Sequence, residues 1–453
     1  MNVPFAFDSM LVFAWLSFFF LVGIYLRARV GFIQKFLFPS CLVGGFAGLI
    51  LMQTRLIDVE TSALENFGYH FFNISFISVG LTRSEDANVP TSKFHGMKGP
   101  AWMALIQGLT FPMQAVIGGL VVLVFGALGM ELFSTFGFLV PLGFNEGPGQ
   151  ALSIGKAWEA VGFANGATIG LTFAAVGYFF SFFVGVPLVN YGMRKGWAFH
   201  GQENLTRDCI TGVYSKDAEC ESAGKLTIHS GNAETLAFQA ALIGIVYGVT
   251  YAIIGVLGSF LPPDVGIILW GFFFFMGLGV ALGLKKAMDL LGLGHLPDPG
   301  VQRRITGWSV DFLIVATVMA IQLKVVWEYI LPIGVISLAV GVCTTLLVIW
   351  FGRRLPQYSL ERTAAIFGTV TGTVSCGLLL LRIVDPEFRT PVAYEIAVMN
   401  AFALPIVGGG AVLVNAPLWW GWSVGLTVLV FVGIMAVSLV MLKMLGLVGK
   451  KAA

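Results

Sequence analysis

The chain has 453 residues, of which 57% are hydrophobic and only 11% charged. A soluble globular chain carries about a quarter charged residues, so this composition excludes one and predicts an all-α polytopic membrane protein. The net charge of +2 gives no reason to invoke nucleic acid, and five cysteines, an odd number, do not make a disulfide framework.

At roughly 20 apolar residues per crossing, the chain can supply about ten crossings. Residues 8–26 form the first. They lack a basic stretch before them and a small-residue cleavage site after them, which predicts a retained helix rather than a signal peptide. Further spans are predicted at 36–53, 67–81, 99–129, 166–192, 235–261, 264–284, 307–323, 326–351, 391–414 and 418–442, the third and eighth being short and weakly apolar. Two more segments, 131–162 and 357–388, are apolar but broken in the middle by Gly, Pro, Ser and Thr. Irregular backbone at membrane depth is tolerated only where protein or a polar cavity satisfies it, so both are predicted to be re-entrant hairpins rather than crossings.

Charge tests this parse. With the N-terminus outside, all of the 26 Lys and Arg except Arg55, Lys156 and Lys324 fall on inward-facing loops and ends. That asymmetry supports both the number of spans and the orientation, and puts the C-terminus inside.

Each half carries the same order of elements: a helix, a second helix entered through proline (Pro39, Pro262), a weak short helix, a long helix, a broken hairpin and a closing helix. Five crossings per unit is an odd number, so the second copy enters from the opposite side and the repeat is inverted. The predicted organisation is a first repeat over 1–196, a cytosolic linker with little structure over 197–234, a second repeat over 235–417 and an additional C-terminal helix over 418–453. Inverted repeats with interrupted helices point to a secondary transporter with its site at the midplane. In the linker, Asn204-Leu205-Thr206 matches a glycosylation sequon but faces the cytosol in this parse, and Cys209 and Cys220 lack a histidine at metal-ligand spacing.

The tip of the first hairpin runs from Asn145 to Gly155. Asn145, Glu146, Gln150 and Ser153 stand there among Gly147, Pro148 and Gly149. Such a break frees backbone N–H groups at the start of the second half-helix, a natural receptor for a carboxylate; a glycine-rich extracellular turn is the alternative. In the second hairpin Thr369, Thr371, Thr373 and Ser375 alternate between Gly368, Gly372 and Gly377. Alternation suggests extended backbone whose carbonyls and hydroxyls bind a small hard cation or substrate oxygens, against a helix packed closely through small residues.

Polar groups inside spans are functional suspects by default. Asn165 and Thr168 open the helix after the first hairpin, and Glu395 and Asn400 lie in the helix after the second. Asn400 joins the substrate candidates. Asn165, Thr168, Asp311 and Glu395 are the sodium candidates, with a helix cap as the alternative for Asn165, hydration at the inner surface for Glu395, and complementing a helix dipole for Asp311, placed one turn into the eighth span. Arg382, on the outgoing arm of the second hairpin, faces an anionic substrate or, preferably, snorkels or pairs with Asp385 or Glu387. The sequence has no phosphate-binding loop, no H-E-x-x-H zinc motif and no G-x-S-x-G elbow, so neither ATP coupling nor an enzyme is expected, and no cofactor beyond a coupling sodium ion.

The order of motifs resembles the bacterial sodium/glutamate symporters. The similar stretches are IQKFLFPSCLVGGFAGLIL, FNISFISVGL, GPGQALSIGKAWEAVGFANGATIGLTFAAVG and FGTVTGTVSCG, within a resemblance that covers about residues 8–416. The resemblance implies a homodimeric, elevator-type carrier of the bacterial inner membrane, with ten spans in two inverted repeats, moving L-glutamate inward with sodium. Its hairpin glycine motifs fall on Gly147 to Gly155 and Gly368 to Gly377. Well-known members carry a histidine beside glycine in both hairpins, where this chain has Pro148 and Thr369. The longer linker and eleventh helix mark a long-form relative. The expected function is sodium-coupled import of L-glutamate or a similar small anionic amino acid. Carriage of another small carboxylate, cation antiport on the same fold, and a non-transporting scaffold or sensor are the competing readings.

Overall fold

The computed structural model describes residues 7–54, 56–57, 59–82, 97–199, 206–216, 218, 222–386 and 389–448; Asn400 lies in a described helix, but its side chain is outside the described part. All regular structure among these residues is helical. In chain order the helices are α1 (Asp8–Arg29), α2 (Gly31–Phe36), α3 (Ser40–Gln53), α4 (Thr61–Leu81), α5 (Lys98–Ala127), α6 (Leu139–Phe144), α7 (Pro148–Glu159), α8 (Gly166–Phe179), α9 (Gly185–Arg194), α10 (Arg207–Thr211) and α11 (Thr235–Ser259). There follow α12 (Pro263–Leu269), α13 (Phe273–Leu290), α14 (Pro299–Met319), α15 (Leu323–Glu328), α16 (Ile330–Gly352), α17 (Ser359–Thr371), α18 (Val374–Val384), α19 (Val392–Leu413), α20 (Ala416–Trp419) and α21 (Val424–Met444). Among the described residues, seven helical stretches are long and apolar enough to cross a membrane, as a multi-pass membrane protein requires.

The two weak spans are full-length helices of 21 residues each. An apolar window misses their starts because those starts are polar: α4 opens through Glu65 and His70, and α14 through Gln302, Arg303 and Arg304. The start of α14 is fixed by Asp298, whose Oδ1 accepts the Val301 N–H at 2.8 Å, and by Pro299 in the first helical position. This corrects the place of Asp311. It is the thirteenth residue of the helix, in its fourth turn, and not beside the N-terminal dipole.

Two groups of helices carry the core. In the first, α1 packs on α3, α3 on α14, α14 on α4, α4 on α13, and α13 on α11. Small residues set the closest of these approaches. A Cβ on Gly23 of α1 would run into the Ser40 carbonyl of α3, and one on Gly44 of α3 into the Phe19 carbonyl of α1. In the second group α5 is central, packed against α16, α19 and α21. The broken segments lie here: α6 and α7 against α8, and α17 and α18 against each other, with α17 also touching α5. Helix α7 bridges the groups by touching α4 and α14.

The linker is tied down where it is described. Arg27 of α1, buried despite its charge, donates from Nη2 to the Cys209 carbonyl of α10 at 3.1 Å. Gln239 of α11 donates to Thr227 Oγ1 and to the Leu296 carbonyl. Asn204, Leu205 and Cys220 lie outside the described residues.

Candidate functional site

Chain geometry at the two breaks decides where the polar side chains go. Between α6 and α7 the backbone reverses at Gly147, whose φ of +87° is open to glycine but strained for other residues. Pro148 then starts α7, where its missing N–H costs nothing. Between α17 and α18 only Gly372 and Thr373 leave the helix, Thr373 with extended backbone.

The tips touch. A Cβ on Gly147 would lie 2.6 Å from Thr373 Cγ2 and 3.2 Å from the Gly372 carbonyl oxygen, so the approach leaves no room for a side chain. Gly149, the second residue of α7, lies against the Phe72 ring of α4, and Gly372 against Ser181 and Cys376.

One helix holds both tips. Gln107 of α5 donates from Nε2 to Glu146 Oε1 at 3.2 Å and lies 3.1 Å from Asn145 Oδ1; the Asn145 amide in turn lies 3.1 Å from Thr110 Oγ1. Seven residues on, Gln114 donates from Nε2 to the Val370 carbonyl at 3.0 Å and to Thr344 Oγ1 of α16 at 3.2 Å. The two glutamines sit on one face of α5, about 10 Å apart along its axis. Val370 is in the last turn of α17, where carbonyls lack helical partners, so Gln114 satisfies a group the break exposes. Neither glutamine was among the sequence candidates. Their signal was two amides at heptad spacing inside an otherwise apolar 30-residue helix.

Within the first tip, Gln150 donates from Nε2 to Glu146 Oε2 at 3.1 Å. Asn145, Gln150 and Ser153 are buried, while Glu146 keeps partial exposure. At the second tip Thr373 is half-buried and Ser375 exposed. The tips therefore border accessible space, although their flanks are packed.

The expected extended run through the second hairpin is confined to Gly372–Thr373. Thr369 and Thr371 are helical, and their hydroxyls donate back to the Ala365 and Phe367 carbonyls at 2.9 and 2.6 Å. Alternating threonines misled because each such hydroxyl bonds within its own helix as readily as it serves a strand. Ser375 belongs to α18. Thr371 still faces a partner: Ser181 Oγ lies 2.7 Å from its Oγ1. Ser181 sits in a π-helical turn, Phe180–Val184, that links α8 to α9, a widened turn of the kind often found at functional sites.

The four sodium candidates have separate surroundings. Asp311 is half-buried beside the Cys41 thiol of α3, with Tyr178 of α8 and Cys376 of α18 close by, which brings it near the second tip. Glu395 is buried and committed to Arg362 of α17 through two bonds of 2.6 and 2.7 Å. Asn165 precedes α8 in a left-handed conformation and makes no side-chain cap bond; Glu159 Oε1 takes the Ala167 N–H instead. Thr168, buried, is one turn on. Neither lies at the tip: α8 runs back beside α7, Gly166 meeting the Gly155 carbonyl and Gly170 the Ala151 carbonyl, which sets Thr168 beside the middle of α7 and Asn165 further from the tip. Lys156, also on α7, bridges Glu65 and Glu159 at 2.7 and 2.9 Å. Asp385 accepts from the Arg389 and Thr390 N–H groups and the Thr390 hydroxyl, which closes the turn after α18. Among the described residues no three His, Cys, Asp or Glu side chains gather as a metal site.

Comparison with protein-family models and with curated proteins finds no match for the chain.

Proposed function

We propose that the chain is a sodium-coupled secondary symporter that imports L-glutamate or a similar small anionic amino acid. The observation that carries this reading is the meeting of two helix breaks, Gly147 against Gly372 and Thr373, both held from α5 by Gln107 and Gln114. Paired breaks present helix ends and unpaired backbone groups to a common point, which suits a carboxylate substrate and a small cation and serves no purpose in a simple packed bundle. The resemblance to the sodium/glutamate symporters belongs to the same proposal.

In this reading the chain is two inverted five-span repeats followed by α21, and the α6–α7 and α17–α18 pairs are re-entrant hairpins entering from opposite sides. The packing supports it by its reciprocity. Helix α3 of the first half packs on α14 of the second as α13 packs on α4, with α4 and α14 against each other between them. The hairpins travel with the helices that carry them in an elevator-type exchange, within a homodimer of the bacterial inner membrane. Sodium, taken at the tips or at Asp311, orders the hairpins and completes the carboxylate site, so the loaded carrier crosses and the half-loaded one does not.

Counterflow tests the carrier reading. Proteoliposomes loaded with unlabelled glutamate are expected to accumulate labelled glutamate transiently above equilibrium. Equal counts in loaded and empty vesicles, for glutamate and for other small carboxylates, would contradict it.

A further inference from the structure

Among the described residues the Glu146 carboxylate has no cation. Oε1 accepts from Gln107 Nε2 and also stands 3.2 Å from the Asn145 amide, Oε2 accepts from Gln150 Nε2, and among the described residues no Lys, Arg or His pairs with it. Amide donors leave the negative charge uncompensated. At membrane depth an uncompensated charge is costly and is retained where it does work.

The groups around it are also short of donors. Gln107 and Gln150 turn their Nε2 atoms to the carboxylate, and each is left with a buried Oε1 that accepts nothing. Ser153, one turn further along the same face of α7 as Gln150, has a buried hydroxyl without a partner. Two unfilled amide oxygens flanking a carboxylate that keeps partial exposure make a receptor rich in acceptors and negative in charge. The complementary ligand group has several N–H donors, no acceptor and one positive charge, which describes a primary ammonium.

We propose that Glu146, framed by the carbonyl oxygens of Gln107 and Gln150, binds the protonated amine of the transported substrate and so restricts the carrier to amino acids over carboxylates that lack the amine. This rests on the transport reading above and names the group by which the first tip selects. The substrate carboxylates are then left to the helix ends of the two breaks.

Glu146→Gln tests the proposal because it keeps shape and removes charge; Glu146→Asp keeps charge and moves it back by one methylene. The readouts are thermal stabilisation of the purified protein by glutamate and by glutarate, its counterpart without the amine, and inhibition of labelled uptake by each. The wild type is expected to respond to glutamate at concentrations where glutarate has no effect. Glu146→Gln is expected to weaken glutamate by about tenfold or more and to bring the two ligands close together, with Glu146→Asp intermediate.

Unchanged preference in Glu146→Gln would overturn the assignment. So would a raised half-saturating sodium concentration with preference intact, which would make Glu146 a sodium ligand. A wild type that takes glutarate as well as glutamate would also overturn it while leaving the carrier reading standing. A wild type that prefers amines but takes them up without sodium would overturn only the coupling.

Discussion

Glu395 and Arg362 are the most fully buried ion pair among the described residues, with side-chain exposures of 5% and 12%. The pair joins the start of the second broken segment to the start of α19, and Gly99 of α5 packs directly on the carboxylate. Removing one partner strands the other charge. Glu395→Gln is therefore expected to destabilise the protein by about 3–5 kcal/mol, read as a fall in the thermal unfolding midpoint in detergent, whereas Arg362→Met combined with Glu395→Leu should cost much less. A double variant as unstable as the single one would contradict this account. Glu395 stood out in the sequence as a charge within a span, but its partner was not legible there. An arginine 33 positions earlier carries no mark of contact, and only the fold brings the two together. Glu146 and Gln150 were legible because charge and amide stand among glycines. Gln107 was not, because amides in a long apolar helix read equally well as packing.

Most of the helices were readable from apolar runs, since a bilayer-length run has few other uses. The exceptions have physical causes. Helices α4 and α14 start in polar residues and face protein on several sides, so their apolar character is diluted just where they are most packed. Helix α14 was further hidden because its start depends on the Asp298 cap rather than on hydropathy. The α1–α3 contact tests how these elements associate. Backbone touches backbone at Gly23 and Gly44, and no flexible side chain can give way. Gly44→Val is expected to separate the helices and to cost about 1–3 kcal/mol or more, again read from thermal unfolding. Gly279, where nothing lies within 4 Å of a Cβ, should accept valine with little change and serves as the control. Equal stability of the two variants would contradict close packing at α1–α3.

At the scale of the molecule, composition alone established a helical membrane protein, and seven long apolar stretches among the described residues agree with it. Sequence pattern marked both broken segments, because glycine and proline interrupt apolar runs there. Their meeting was not legible, since two segments separated by more than 200 residues leave no local trace of contact. That meeting is the physical basis for reading the chain as a carrier. The cation is what ties the tips to energy: if sodium completes the site, substrate movement must follow its gradient. The direct measurement is initial uptake of labelled glutamate into proteoliposomes with an inward sodium gradient, compared with an inward potassium gradient of equal ionic strength. The account predicts concentrative uptake with sodium, abolished by dissipating the sodium gradient. Equal uptake with potassium, or uptake that persists when the sodium gradient is collapsed, would contradict sodium-coupled symport.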